Sequence, residues 1–302
     1  MDETFRRQAV LLLRCLPSVN KQACFALKGG TAINLFVRNM PRLSVDIDLV
    51  YLPIESRAKT LANIESNLKK ISRDIQKTIK EAKVTPLTHQ NRINKLDIRA
   101  NGVQIKIEPN IVQRGAIYKP EELELCNLAE KEFELSVATT SMAIPELYGS
   151  KIAAALDRQH PRDLFDIMHL LRNEGLTNDV RKAFVVYLAS HPRPMNELLN
   201  PNKKDIKQEF KTQFQGMTTN PVHLKDLLHA RDELVTLVNK KLTTKERLFL
   251  LSLKMGEPNW ALLKIPNIAE LPAIQWKIEN IQNMSKKKHH EAIEKLKQAL
   301  KL

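Results

Sequence analysis

Cysteine is scarce in this chain. Cys15, Cys24 and Cys126 are the three among 302 residues, odd in number and far apart. That pattern excludes a disulfide framework and a cysteine-based zinc cluster, and it fits a reducing compartment. Long apolar runs are missing as well: no segment approaches the roughly 20 residues that a membrane span needs. The opening stretch, MDETFRRQAV, begins acidic and lacks the layout of a secretory signal. No internal repeat or long low-complexity segment interrupts the chain. His160 and His169 have no companions at zinc spacing and read as structural or solvated. These absences together predict a soluble, cytoplasmic protein without a membrane partner. A 43% hydrophobic content is enough for a substantial core, and the length suits one large or two ordinary domains.

Charge is abundant and uneven. Lys and Arg number 48 against 34 Asp and Glu, a formal net charge of +14. Residues 1 to 120 hold 21 basic and 10 acidic side chains, a net +11. The remainder carries 27 and 24, a net +3. A field of that sign in the first part draws polyanions such as RNA or nucleotides.

Periodicity organises the chain into two parts. Residues 3 to 16 read as a helix, 31 to 38 as a short helix after two glycines, and 43 to 51 as a buried strand. Ile64, Leu68, Ile71, Ile75 and Ile79 make an apolar stripe along a helix over 55 to 82. The stretch RINKLDIRANGVQIKIEPNIV alternates in two segments joined by Asn101-Gly102, a strong hairpin signal. With a two-residue turn, Ala100 faces Val103, Asp97 faces Lys106 and Lys95 faces Glu108. One hairpin face is then apolar (Leu96, Ile98, Ile105, Ile107) and the other charged. Residues 117 to 137 are acidic and read as an exposed loop and strand. From residue 144 the pattern turns helical, with helices over 145 to 158 and 163 to 173 broken at Pro161. Trp260 and Trp276 read as core anchors of this part, and the run KKKHH at 286 to 290 as a solvated helix start. The expected class is α+β: a mixed sheet with helices over residues 1–140, then an all-helical domain over 141–302.

One stretch concentrates the chemistry: KGGTAINLFVRNMPRLSVDIDLVY, residues 28 to 51. Asp46 and Asp48 sit one residue apart on a strand, so they share a face. Two carboxylates at short range repel, and a divalent cation between them keeps both ionised. Oxygen-only ligation suits Mg²⁺, which takes one or two carboxylates together with substrate phosphates. A third acid on a neighbouring strand completes a two-metal arrangement for in-line attack at phosphorus. Glu108 and Asp97 both lie on the charged hairpin face and compete for that place. Ahead of the acids, Gly29 and Gly30 let a backbone approach a phosphate, Thr31 offers a hydroxyl, and Lys28 adds charge. A Walker loop, with its Gly-Lys-Ser/Thr end, is absent. Taken singly, each piece has a bland explanation, since glycines serve ordinary turns and acids ordinary surfaces.

The order of these parts resembles the DNA polymerase β-like nucleotidyltransferase superfamily. More narrowly, KGGTAINLFVRNMPRLSVDIDLVY together with YGSKIAAALDRQHPRDLFDIMHLL, residues 148 to 171, resembles the AbiE-type nucleotidyltransferase toxins of bacterial toxin–antitoxin and abortive-infection systems. IKIEPN between them fits the family's middle motif. The resemblance implies that Gly30 and Thr31 hold nucleotide phosphates, that Asp46 and Asp48 are metal ligands and that Glu108 is the third acid. It places the family's later lysine on Lys151 and its Arg-Asp-x-x-Asp element on Arg162, Asp163 and Asp166. Here Lys151 would neutralise phosphates, Asp166 orient Lys151 or a substrate hydroxyl, and Arg162 hold a phosphate. The spacing from Thr31 to Asp46 is longer than in many members of the wider superfamily. The implied cofactor is Mg²⁺ or Mn²⁺, the substrate an NTP, and the acceptor the 3′ end of a tRNA, with a cognate antitoxin as a further partner. Without the resemblance, Lys151 reads as a solvated helix face, and Asp163 and Asp166 as ordinary acids at a helix start.

Three alternatives stand beside this expectation. An antibiotic-modifying nucleotidyltransferase has the same chemistry, but a cationic drug prefers an acidic pocket, not a basic one. Transfer to a protein hydroxyl is the second. A non-catalytic RNA- or partner-binding protein of the same fold is the third, and the intact acid triad argues against it.

Overall fold

The computed structural model describes residues 2–302. The chain forms two compact units. One runs to Ala143 and includes Gln215–Pro221; the other holds Ile144–Phe214 and Val222–Leu302.

The first unit opens with helix α1 (Glu3–Asn20), whose N-cap Asp2 accepts from the Thr4 amide. Strand β1 (Phe25–Lys28) leads directly into helix α2 (Gly29–Thr31), which widens into a π-turn over Ala32–Val37. The double glycine thus lies inside the helical segment, where the sequence pattern placed the helix after it. Strand β2 (Asp46–Tyr51) carries the paired aspartates. Helix α3 (Arg57–Thr78) buries Ile64, Leu68, Ile71 and Ile75, the expected stripe. Strands β3 (Lys83–His89), β4 (Arg92–Ala100) and β5 (Val103–Asn110) follow, then β6 (Glu121–Glu124), helix α4 (Asn127–Phe133) and β7 (Ala138–Ser141).

The seven strands form one sheet in the order β3-β4-β5-β2-β1-β7-β6. Its mixed character comes from the parallel pairs β2–β5 and β1–β7 within otherwise antiparallel neighbours. The β4–β5 hairpin has the expected register, with Ala100 opposite Val103 and Asp97 opposite Lys106. Asn101 and Gly102 both take positive φ, as a two-residue turn of this twist demands. Strand β3 was not evident from sequence. It contains Pro86, which cannot donate to a ladder and is tolerated only because β3 is an edge. Leu96, Ile98, Ile105 and Ile107 are buried on one face of the sheet, as are Ile47 and Leu49 of β2. Gln215–Pro221 returns to this unit through an antiparallel bridge from Thr218 to Arg42.

The second unit is helical: α5 (Ile144–Arg158), α6 (Pro161–Arg172), α7 (Asn178–Ser190), α8 (Met195–Leu199), α9 (Lys207–Gln213), α10 (Leu224–Lys241), α11 (Thr244–Met255), α12 (Pro272–Gln282) and α13 (Lys286–Leu300). Pro161 opens α6 at its first turn, where its missing N–H is harmless. His160 caps that helix, its Nδ1 accepting from the Arg162 amide at 3.1 Å. His169 packs on Phe165 in a tilted ring contact, with centroids 4.5 Å apart. Both histidines are structural. Trp260 packs on Phe249 but is only part-buried, and Trp276 is 46% exposed, so neither is the fully buried core anchor that its hydrophobicity predicts. For Trp276 the reason lies in α12, whose buried side is taken by Ala273, Ile274, Lys277 and Ile281. No helix among the described residues is long and apolar enough to cross a membrane.

Helices α5 and α7 approach closely at Gly149. A Cβ there would lie 2.6 Å from Ala183 Cβ and 2.7 Å from the Phe184 amide nitrogen. Gly149→Ala should therefore destabilise the protein by about 2 kcal/mol or more, as overpacking does. This is expected even though alanine is the better helix former by about 1 kcal/mol. Urea denaturation of the variant measures it; an unchanged or raised midpoint would contradict the close packing.

Candidate active site

Strand register arranges the charged residues of the sheet in two rows. Lys28 of β1 is the partner of Asp48 on β2, and Asp48 is the partner of Glu108 on β5. Lys95 of β4 then reaches Glu108, Nζ to Oε2 at 3.1 Å. The first row reads Lys28, Asp48, Glu108, Lys95 across four strands. In the second row, Asp46 faces Lys106, which faces Asp97. Asp46, Asp48 and Glu108 are part-exposed, while the alternating apolar residues are buried. Period-two alternation thus lifts three carboxylates out of the core onto one face.

The turn before them is fitted to Asp48. Gly29 has φ +73°, and a Cβ on it would come within 2.6 Å of Asp48 Oδ2. Only glycine satisfies both demands. A Cβ on Gly30 would meet Arg42 Nη2 at 2.5 Å and Ser44 Oγ at 3.2 Å. Arg42 is buried and donates to the Leu43 carbonyl at 2.8 Å. Thr31 is buried; its Oγ1 donates to the Asp46 carbonyl at 2.5 Å and meets Ser44 Oγ at 2.9 Å. The hydroxyl expected to face a phosphate is here committed to the strand. It holds the backbone at Asp46 in place instead. Arg42, Ser44 and Lys95 were not singled out from sequence. Arg42 and Ser44 lie inside the motif block, and Lys95 was visible as the hairpin partner of Glu108.

Asp97 does not use its hairpin partner. Its carboxylate accepts from Arg99 Nε at 3.3 Å and from Gln104 Nε2, and it is nearly buried. Asp97 and Lys106 stand opposite each other in register, but the carboxylate contacts Arg99 and Gln104.

The donor set suits a hard divalent cation: three carboxylates on one face, two of them in register on adjacent strands. Among the described residues no three Asp, Glu, His or Cys side chains are gathered as a ready metal site. Glu108 leans instead to the ammonium of Lys95. The backbone placement of the three carboxylates is compatible with such an ion, with the Glu108 side chain turned to Lys95.

The second motif forms its own cluster in the helical unit. Lys151 Nζ lies 2.9 Å from Asp163 Oδ1 and 3.0 Å from Asp166 Oδ2. These side chains are 6%, 2% and 0% exposed. Arg158 comes from the solvent side, 61% exposed, with Nε 2.5 Å from Asp163 Oδ2 and Nη2 3.0 Å from Oδ1. Lys151 is thus buried between two carboxylates and is not a solvated face. Burial alone would push the Asp163 carboxyl up; the Lys151 and Arg158 charges outweigh it and hold it well below the usual range. Arg162, at the start of α6, is part-exposed.

Removing Lys151 leaves two buried carboxylates short of their cation. Lys151→Met should cost about 3–5 kcal/mol, and Arg158→Ala on the order of 1 kcal/mol. Because the folded-state value of Asp163 is lowered, its contribution is present above the ordinary carboxylate range and lost as pH falls through the lowered value. Denaturation midpoints against pH should accordingly fall less steeply on the acid side in Asp163→Asn than in the wild type. Parallel acid limbs would refute the assignment.

Three comparisons bear on identity. No curated protein matches the sequence. Among solved structures, the nucleotidyltransferase toxin MenT4 from Mycobacterium tuberculosis is similar in fold, with a TM-score of 0.62 at 16% identity, covering 92% of this chain and 93% of that one. The family described as nucleotidyl transferase AbiEii toxin, type IV toxin–antitoxin system, matches residues 10–280. That match spans the glycine turn, both aspartates, the hairpin and the Lys151 cluster, so the chain belongs to the AbiEii nucleotidyltransferase toxin family of type IV toxin–antitoxin systems.

Proposed function

We propose that this protein transfers a nucleotidyl group from an NTP to the 3′ end of a tRNA. The observation that carries the chemistry is the row Lys28, Asp48, Glu108, Lys95, with Asp46 on the same face. Asp46, Asp48 and Glu108 would hold Mg²⁺ or Mn²⁺, which when bound lowers the barrier to attack at phosphorus by stabilising negative charge. Gly29 and Gly30 keep the approach to Asp48 clear of side chains. Lys28 and Lys95 flank the acids and supply positive charge to the triphosphate. The acceptor hydroxyl attacks the α-phosphorus, the bond to the β-phosphate bridging oxygen breaks, and pyrophosphate leaves. The acceptor proton passes to a carboxylate or to water. No covalent enzyme intermediate is needed. Lys151, Arg162, Asp163 and Asp166 are assigned to the same reaction by their match to the family's later motif. An antitoxin that restrains the activity is part of this reading, as is a cytoplasmic setting.

Asp46→Ala and Asp48→Ala should each abolish transfer while shifting the melting temperature by only a few degrees, because both positions are part-exposed. Activity in excess EDTA, or in Asp48→Ala, would overturn the metal assignment. Glu108→Gln should be as inactive, whereas Asp97→Asn should retain activity and lose stability. If the outcomes were reversed, the third acid would be Asp97.

The RNA acceptor rests on the net +11 of residues 1 to 120. Phosphate contacts release counterions, so affinity of the Asp46→Ala variant for bulk tRNA should fall with salt. The log–log slope should be roughly −0.7 for each contact with a single strand. A flat response, or no binding at low salt, would favour a protein hydroxyl or a small molecule as the acceptor.

A further inference from the structure

The helical unit contains a cavity of about 410 Å³ to which the reaction assigns nothing. Its walls include Met195, Trp276, Ile281, Met284 and Leu296, together with two lysines, Lys254 and Lys277. No acidic side chain lines it. Lys277 is buried; its Nζ donates to the His191 carbonyl at 2.6 Å and lies 3.4 Å from the Arg193 carbonyl. Two of its three N–H directions are used at the end of α7. Lys254 is half-buried, and its Nζ meets the Met284 sulfur at 3.6 Å, a weak acceptor. Neither amine forms an ion pair among the described residues.

Buried ammonium groups are costly unless an anion pairs with them. Elsewhere in this unit the rule is obeyed: Lys151 lies between two carboxylates. Burial, with Lys254 nearby, pushes the Lys277 amine down to about 8, and burial also lowers Lys254. The lining holds two lysines and no carboxylate, so among the described residues the cavity's positive charge is uncompensated. The volume lies within the range of small-molecule pockets, and the walls are mostly apolar. An occupant must therefore bring one anionic head and an apolar body. A singly charged carboxylate enters such a pocket with less desolvation than a doubly charged phosphate monoester.

We propose that the cavity framed by α11, α12, α13 and the start of α8 binds an apolar monocarboxylate, an acyl or aryl acid, with its head between Lys254 and Lys277. The side chain of Trp276, 46% exposed in the cavity wall, then packs along the ligand body. This site is separate from the residues assigned to nucleotidyl transfer, so its test does not depend on that reaction.

Isothermal titration of the full chain with decanoate is the experiment, with decanol as the uncharged control. Decanoate should saturate at one site per chain and change the emission of Trp276. Decanol should bind at least roughly tenfold more weakly, and so should decanoate to Lys254→Met, a difference of about 1.4 kcal/mol. Lys277→Met should show the same loss if it folds. Lys254→Met makes no strong contact, so it should fold and melt like the wild type and keep the test valid alone. Equal binding of decanol and decanoate, or no saturation, would overturn the proposal. Self-association of the chain that Trp276→Asp abolishes would also overturn it, by giving the cavity to a second copy.

Discussion

Electrostatic repulsion among like charges on one sheet face is the constraint around which the first unit is built. Asp46 and Asp48 cannot avoid each other, because residues two apart on a strand share a face. Parallel pairing of β2 with β5 then sets Glu108 beside Asp48. Three carboxylates on a shared surface repel one another, and positive charge close by offsets that repulsion. Lysines stand at both ends of that row, Lys28 and Lys95, and Lys106 lies opposite Asp46. The glycine turn and the Thr31 hydroxyl serve the same arrangement, one by leaving space at Asp48 and the other by fixing the backbone at Asp46.

Much of this was legible beforehand, for definite reasons. The Asn101-Gly102 turn dictates hairpin register, and register dictates which acids share a face. The stripe on α3 follows from 3.6-residue periodicity. What sequence could not supply was three-dimensional partnership. β3 is masked by Pro86, a residue that argues against a strand unless the strand is known to be an edge. Asp97 turns to Arg99 and Gln104 because side-chain reach, not strand pairing, chooses its partners. Trp276 is exposed although large and apolar, since the buried side of α12 is set by its neighbours.

Lys151 shows the same limit more sharply. A lysine on a helix is solvated far more often than buried, and nothing in a stretch of fifteen residues overrides that expectation. Its burial depends on Asp163 and Asp166 from the next helix, brought to it by the break at Pro161. Only the resemblance to a family directed attention to the position. The structure supplies the physical account: a cation whose desolvation is offset by two anions, with Arg158 closing the cluster from solvent.

The helical unit therefore treats buried lysines in two ways. Around Lys151 the chain provides its own carboxylates, and the charge is neutralised within the fold. Around Lys277 it provides two carbonyl oxygens, which accept hydrogen bonds but carry no full charge. Lys254 adds a second positive centre and no compensation. Burial without compensation favours the neutral amine, and burial with Lys254 nearby accordingly lowers Lys277. An anionic ligand reverses that tendency by favouring the protonated amine. The two lysines thus differ in compensation: Asp163 and Asp166 supply it to Lys151, whereas the cavity wall offers Lys277 carbonyl oxygens and no carboxylate.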